Sequence, residues 1–247
     1  MKILVIGDSC IDAYVYGKCD RLCPAAPVPV FVPVYQKENQ GMAGNVYQNA
    51  LSFGLSCDIL TNESRNVVKT RFVEDKTNHI IMRLDKGDCD IQRIKNLTST
   101  TLQSYDAIII SDYDKGYLTE CDIELIARNH NLVFLDTKKL LGNYARHCAY
   151  IKINEYEYEK TKHLFSELAD WIEDKLIVTL GSDGCTYKGK NFPVQKVEVK
   201  DLTGAGDTFL AALVCNFLET RNIEKSIEFA NKCATQVVQQ RGVAIVR

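Results

Sequence analysis

The 247-residue sequence has no surplus of either charge: 30 Lys and Arg stand against 32 Asp and Glu, net −2. A protein that neutralises the phosphates of a nucleic acid needs a basic excess, so no nucleic-acid partner is expected. The chain also lacks any run approaching the roughly 18 apolar residues of a membrane span, and no membrane partner is expected. Its apolar opening, Met1 to Ile6, is too short for a signal h-region and has no small-residue cleavage site, so the chain is expected to start inside its fold. Ten cysteines occur without a single Cys-x-x-Cys pair. That excludes the usual zinc spacing and fits free thiols in a reducing cytoplasm, the expected location. There is no internal repeat, low-complexity tract or Gly/Ser linker, so a single domain over residues 1–247 is expected rather than a fusion. Two nucleotide fingerprints are missing as well. Only Gly7 follows the first apolar run, so there is no Gly-x-Gly-x-x-Gly, and no Gly-x-x-x-x-Gly-Lys-Ser/Thr occurs. Dinucleotide and P-loop enzymes lose ground accordingly, and a nicotinamide oxidoreductase has little support.

What is present has the rhythm of a layered α/β fold. Short apolar runs at 3–6, 107–110, 132–135, 150–153 and 176–180 read as buried strands of a mainly parallel sheet. Segments with helical spacing, at 44–53, 120–129 and 165–173, lie between them. Ligands in such sheets collect at the carboxyl ends of strands, so the residues just after each run are the first candidates for function. Two stretches break the rhythm. Residues 13–34 carry four of the five prolines, and 67–84 reads as two extended segments around a polar turn. Together they predict a small β lid, with strands within about 12–34 and 67–84, able to exclude water from a site. The competing reading is a surface hairpin and a proline-rich loop. A small sheet of this kind exposes apolar faces and edges, so the lid is expected to pair two copies into a homodimer.

The chemistry is densest at Asp201-Leu202-Thr203-Gly204-Ala205-Gly206-Asp207-Thr208-Phe209, followed by an apolar helix face at Phe209, Leu210, Leu213, Val214, Phe217 and Leu218. A glycine turn feeding a buried helix leaves backbone N–H groups unpaired at the positive end of the helix dipole, which makes an anion cradle. A carboxylate there repels a phosphate unless it has a task. Accepting a hydroxyl proton while the cradle holds the transferring phosphoryl group is such a task, and it points to phosphoryl transfer to an alcohol. The competing reading is that Asp207 simply stabilises the helix N-terminus. Asp112 and Lys115 follow the buried run 107–110 on the expected ligand side, where the lysine could hold a substrate phosphate or be an ordinary loop lysine.

That motif resembles the C-terminal signature of the PfkB/ribokinase superfamily of small-molecule kinases. The resemblance extends over nearly the whole chain, through Gly7-Asp8 with Asp12, Gly41-Met42-Ala43-Gly44-Asn45, Asn154-x-x-Glu157, and Thr179-Leu180-Gly181-Ser182-Asp183-Gly184. Within the superfamily, Pro24-Ala25-Ala26-Pro27-Val28-Pro29-Val30, Arg83-Leu84-Asp85 and Ser111-Asp112-Tyr113-Asp114-Lys115-Gly116 look most like the heptose 7-phosphate kinase domain of ADP-heptose synthases. The resemblance implies a Rossmann-like three-layer α/β/α ribokinase-type fold, ATP and Mg²⁺ as cofactors, and a sugar or sugar-phosphate substrate. For the heptose kinases this means phosphorylation at the anomeric hydroxyl. Position by position it makes Asp207 the catalytic base and Gly204, Ala205 and Gly206 the anion hole. Asp12, Gly41 and Asn45 fall to the sugar, although Asp12 could also initiate a turn and Asn45 cap a helix. Asn154 and Glu157 fall to the phosphates and Mg²⁺. Thr179, Gly181, Gly184 and Thr203 fall to the nucleotide, and Asn231 to the adenine pocket. Asp136-Thr137-Lys138 resembles the Asp-Pro-Lys of the heptose kinases with Thr137 at the proline position.

The sequence also departs from the family. Relative to the family, a strand and helix are missing between Leu60-Thr61 and Val67, which is expected to cost the sheet an edge strand, and 163–176 is compressed. Met42 replaces the second glycine of the usual pair. No nucleotidyltransferase domain follows Arg247, so ADP-heptose synthesis by this chain alone is not expected. The rival expectation is a kinase-shaped sugar or nucleotide binder without turnover.

Overall fold

A computed structural model of the chain describes residues 1–95, 97, 99–240, 242 and 245. Its strands, in chain order, are β1 (Lys2–Gly7), β2 (Ser9–Lys18), β3 (Val32–Met42), β4 (Ser56–Thr61), β5 (Val68–Glu74), β6 (Ile80–Lys86), β7 (Ala107–Asp112), β8 (Val133–Thr137), β9 (Tyr150–Asn154), β10 (Leu176–Thr179), β11 (Cys185–Tyr187) and β12 (Lys190–Phe192). The helices are α1 (Ala43–Ser52), α2 (Ser99–Leu102), α3 (Glu120–Asn129), α4 (Glu155–Thr161), α5 (Phe165–Leu168), α6 (Ala205–Thr220) and α7 (Ile223–Val237).

The five apolar runs become β1, β7, β8, β9 and β10, the centre of an eight-stranded sheet ordered β12-β11-β10-β9-β8-β7-β1-β4. Pairing is parallel from β4 to β10 and antiparallel at β11 and β12. Strands buried on both faces need apolar residues at every position, and so they read as unbroken runs. One face packs Ile3, Val5 and Ile109 against α1, α6 and α7; the other packs Leu4, Ile108 and Ile110 against Ile123 and Ile126 of α3. The result is the three-layer α/β/α fold expected from the sequence. Helix α6 is apolar almost all round, as a helix enclosed by its neighbours should be. Thr119 and Asp122 form a capping box that starts α3. No helix among the described residues is long and apolar enough to cross a membrane.

Strands β3, β2, β5 and β6 form a second sheet in that order. Its strands depart from the expected limits. The proline-rich stretch contributes only a Leu22–Pro29 bridge, because proline cannot donate to a ladder, and the long β3 begins at Val32 and runs to Met42. The polar run Gln36 to Gln40 has no apolar alternation, yet it pairs along β2 because both faces of that edge are largely solvated. Segment 165–173 also differs: only the four-residue α5 is α-helical there. Between β4 and β5 the chain makes a single 3-10 turn, and β4 is the sheet's edge.

Candidate active site

Helix α6 begins at a turn held by Asp201, whose Oδ1 accepts from the Thr203 amide at 2.8 Å and whose Oδ2 accepts from the Gly242 amide at 3.1 Å. Gly204 precedes the helix at φ 83°, a left-handed conformation that glycine adopts without strain. In the first turn of α6 the Ala205 amide donates to the Leu202 carbonyl at 3.3 Å, the Gly206 and Asp207 amides stand at the open end of the helix, and Asp207 sits buried in that turn. Burial pushes its carboxyl up to about 6. Hydrogen bonds to Oδ2 from Asn45 Nδ2 at 2.9 Å, and to Oδ1 from the Tyr113 hydroxyl at 2.7 Å, work against that rise. The charge of Asp136 adds to it and that of Lys152 opposes it. A carboxylate in this range is ionised at neutral pH yet basic enough to take a proton from a reacting hydroxyl.

Asp207 lies on the wall of a cleft of about 860 Å³. Lys152, in the interior of β9, is 4% exposed and pairs with Asp136 Oδ2 at 2.8 Å. A Cβ built on Gly206 would stand 3.0 Å from Lys152 Nζ, so the ammonium group lies against the first turn of α6, and any side chain at Gly206 would crowd it. Lys138 pairs with Glu157 and stands 3.7 Å from Asp136 Oδ1. Burial opposes its charge, but Asp136 and Glu157 more than compensate and hold Lys138 above the usual lysine range. Burial likewise opposes the Asp136 charge, and Lys152 and Lys138 overcome it, keeping the carboxyl below its ordinary value. Three lysines, Lys138, Lys152 and Lys196, and the amides of a helix N-terminus therefore face one cleft, and Val199 and Leu202, 50% and 68% exposed, stand at its margin. A polyanion with a flat apolar part matches that combination.

Residues 54–246 match the family described as pfkB family carbohydrate kinase. The chain belongs to that family. Bifunctional protein HldE of Helicobacter acinonychis is 31% identical over 296 aligned residues, covering 99% of this chain and 64% of that protein. The kinase thus spans just under two thirds of this curated relative's length. Alignment over 296 positions, against 247 residues here, also means that the relative carries segments this chain lacks. Among solved structures, a ribokinase from Thermotoga maritima superposes with a TM-score of 0.74 at 20% identity, covering 98% of this chain and 94% of that one. Arabidopsis thaliana ribokinase, described in complex with ribose and ATP, gives 0.69 at 16% identity, covering 97% and 93%. These likenesses establish the ribokinase fold for the enzyme.

The kinase gathers most of the expected residues around Asp207. Gly204, Ala205, Gly206, Asn154, Thr179, Gly181, Gly184 and Asn231 line the cleft. Gly181 and Gly184 take left-handed φ of 56° and 88°. Asn231 Nδ2 also donates to the Phe192 carbonyl at 2.9 Å, tying α7 to β12. Asn45 reaches Asp207 directly. Asp12 is buried on the second sheet and pairs with Arg71 at 2.5 Å; a Cβ at Gly41 would run into the Asp12 carboxylate, so β3 closes tightly on β2 there. Thr203 contributes its amide to the Asp201 turn and does not line the cleft.

Three expected residues face elsewhere. Asp112 is buried and accepts from Thr137 Oγ1 at 2.5 Å and Lys139 Nζ at 2.9 Å, which turns its carboxylate away from the cleft. Lys115 pairs with Asp88 at 2.6 Å and does not line the cleft either. Glu157 is folded back into a capping box, with Oε2 on the Asn154 amide at 2.8 Å and Oε1 on Asn154 Nδ2 at 2.9 Å and on Lys138. Sequence reasoning missed Tyr113, Lys152, Lys69 and Arg71. Lys152 had a readable signal, a lysine inside the apolar run Tyr-Ile-Lys-Ile-Asn. Tyr113 stands in the Ser111 to Gly116 motif with no role assigned there, and Arg71 had no signal, because they meet Asp207 and Asp12 only in the folded chain.

Proposed function

We propose that this carbohydrate kinase moves the γ-phosphoryl group of ATP to a hydroxyl of a sugar or sugar phosphate, with heptose 7-phosphate and its anomeric hydroxyl as the favoured acceptor. The carrying observation is the buried Asp207 carboxylate, held by Asn45 and Tyr113 at the N-terminus of α6 on a cleft that Lys138, Lys152 and Lys196 also line. In this reading Asp207 takes the acceptor proton as the new P–O bond forms and the bond to the ADP oxygen breaks. The amides of Gly204, Ala205 and Gly206, with Lys152, hold the charge of the migrating group. Thr179, Gly181, Gly184 and Asn231 seat the nucleotide. Asp12, Gly41 and Asn45 seat the acceptor, and Lys69 and Arg71, both buried on the inner face of the second sheet, suit an acceptor that already carries a phosphate.

The donor set bears on Mg²⁺. Both Glu157 oxygens are already engaged by Asn154 and Lys138, so this residue fits a hydrated ion carried on the phosphates rather than a direct protein ligand. When bound, Mg²⁺ would neutralise phosphate charge. We also propose that two copies meet through the second sheet. Met82 and Leu84, about half exposed, share its outward face with Phe72, and β3 and β6 leave two unpaired edges.

The deciding experiment measures ADP release with ATP, Mg²⁺ and a panel of heptose 7-phosphate, ribose, fructose, fructose phosphates and adenosine. Turnover is expected with one acceptor and is expected to fall by about a thousand-fold or more in Asp207→Asn, with nucleotide binding retained. Ligand-induced thermal shifts without ADP release from any acceptor would instead support a binder, and full activity in Asp207→Asn would remove the base.

A further inference from the structure

We propose that Tyr113 is a positioning residue of the phosphoryl transfer: its phenol clamps one oxygen of the Asp207 carboxylate while Asn45 clamps the other, fixing the plane in which the base meets the acceptor hydroxyl. The inference rests on Asp207 being the base. Its geometry is independent of that role. The Tyr113 hydroxyl donates to Asp207 Oδ1 at 2.7 Å from the loop that follows β7, while Asn45 of α1 donates to Oδ2.

The loop is built to hold that contact. Asp8, fully buried at the end of β1, accepts from the Tyr113 amide at 2.7 Å, the Tyr117 amide at 3.2 Å and the Lys115 amide at 3.4 Å. Three amides can converge on one carboxylate because Asp114 and Gly116 bend the chain through left-handed φ of 56° and 101°. The Gly7-Asp8 motif therefore acts on the site through Tyr113, since Asp8 touches the loop and not the cleft.

The ring is held too. It packs on a small apolar cluster of Cys10, Met42 and Val67. Met42 has φ 57° and ψ −132°, a conformation costly to any residue with a Cβ, yet its side chain is 4% exposed within this cluster. Such strain persists only where the surroundings enforce it, and here it places a flexible thioether beside the ring that aims the phenol. Lys69 from the second sheet and Lys138 from the main one stand 5.9 and 5.3 Å from the ring centroid, so both sheets converge on Tyr113.

Burial pushes the phenol well above its ordinary value, and the charges of Asp207 and Asp136 add to that, so it stays a donor at every working pH. The other groups facing Asp207 are Asn45 from α1, Asp136 at the end of β8, Lys138 beyond it, Lys152 from β9 and Cys10 from β2, whose thiol burial keeps neutral at about 12. None of these is altered by Tyr113→Phe. That substitution deletes the donor and keeps the ring.

The test compares wild type, Tyr113→Phe and Asp207→Asn by steady-state ADP release with heptose 7-phosphate from pH 5 to 9. In parallel, the ¹³Cγ signal of Asp207, assigned by its loss in Asp207→Asn, is followed against pH. Tyr113→Phe is expected to lower kcat about ten-fold with both KM values within two-fold of wild type. The Asp207 titration midpoint and the acid limb of kcat should both move up by about one pH unit, because a donor to the ionised form has gone. An unchanged ¹³C midpoint would overturn the proposal, and it is readable even if this acceptor gives no turnover. A lower acceptor KM at unchanged kcat would also overturn it, marking the phenol as a competitor of the acceptor. Full activity in Asp207→Asn would instead refute the base assignment, whatever the Tyr113→Phe midpoint shows.

Discussion

The two sheets are built on opposite principles. In the main sheet both faces of β1, β7 and β9 meet apolar side chains, and the charges it buries are paired, Lys152 with Asp136 at 2.8 Å and Asp112 with Lys139 at 2.9 Å. In the second sheet β5 alternates, with Lys69, Arg71 and Val73 turned inward, and β6 is exposed along its whole length. Its inner face is held by a charge pair, Arg71 to Asp12, beside the small apolar cluster of Cys10, Met42 and Val67 rather than by an extensive core. A sheet buried on both faces gains rigidity from packing density and can fix a catalytic carboxylate to a fraction of an ångström. A thin sheet with one charged face is cheaper to move, and it can close on an anionic acceptor and release it. In the proposed reaction the base and the phosphate cradle are carried by the first sheet, and the acceptor contacts largely by the second.

The sharpest way to break this contrast is Lys152→Met. Removing one partner of a buried pair leaves Asp136 with only Lys138, 3.7 Å away, so stability is expected to fall by about 3 kcal/mol, and nucleotide affinity should fall with it. Chemical denaturation and ADP titration would read the two losses. Equal stability would mean that the main sheet does not depend on its internal charge balance.

Asp207→Asn sharpens the same contrast through pH. The folded-state pKa is raised from 3.8 to about 6, so the neutral carboxyl favours the folded state. That contribution is fully present below about pH 4 and is lost as pH rises through 6. By pH 7 the ionised carboxylate costs about 2 to 3 kcal/mol relative to its unfolded state. Asparagine has no such titration. The stability of the variant relative to wild type should therefore rise between pH 4 and 7, on top of a constant loss from one mismatched donor. A pH-independent difference would contradict the raised pKa.

Arg71→Met tests the second sheet and should do less. It deprives the buried Asp12 of its guanidinium partner, but that carboxylate is 8% exposed against 3% for Asp136, so the expected stability loss is smaller, about 2 kcal/mol. The acceptor KM should rise at least ten-fold while the KM for ATP stays put, the reverse of the Lys152 pattern. A rise in both would mean that the two sheets do not divide the substrates between them.

The same contrast decides what the sequence could disclose. Strands β1, β7, β8, β9 and β10 were legible because burial on both faces writes itself as an uninterrupted apolar run, and the Gly204 to Asp207 cradle because its parts are contiguous. β3 was not. Its Tyr35 to Gln40 stretch is solvated and carries no periodicity, and the prolines before it drew attention to the wrong segment. Asp112 and Lys115 occupy the predicted end of β7, yet Thr137, Lys139 and Asp88, all distant in sequence, decide where their side chains point. Strand position was readable, but side-chain direction was not. Tyr113 shows the converse: it lies in the Ser111 to Gly116 motif between two charged candidates, yet nothing there marks the phenol itself, which reaches Asp207 across 94 positions.

The smallest effect on the single chain should come from the outward face of the second sheet. Met82 and Leu84 stand on the same side as Phe72, by the pairing of Phe72 with Met82 and of Thr70 with Leu84. Both are about half exposed, so Met82→Lys with Leu84→Lys should change unfolding free energy by less than about 0.5 kcal/mol. If that face joins two copies, the same change places four lysines in an apolar contact and should convert a dimer into a monomer in sedimentation velocity, with kcat unaffected. A wild-type monomer at working concentration would leave the exposed face without this partner. The small sheet would then have to draw its order from Asp12, Arg71 and the contacts of β2 with the body alone.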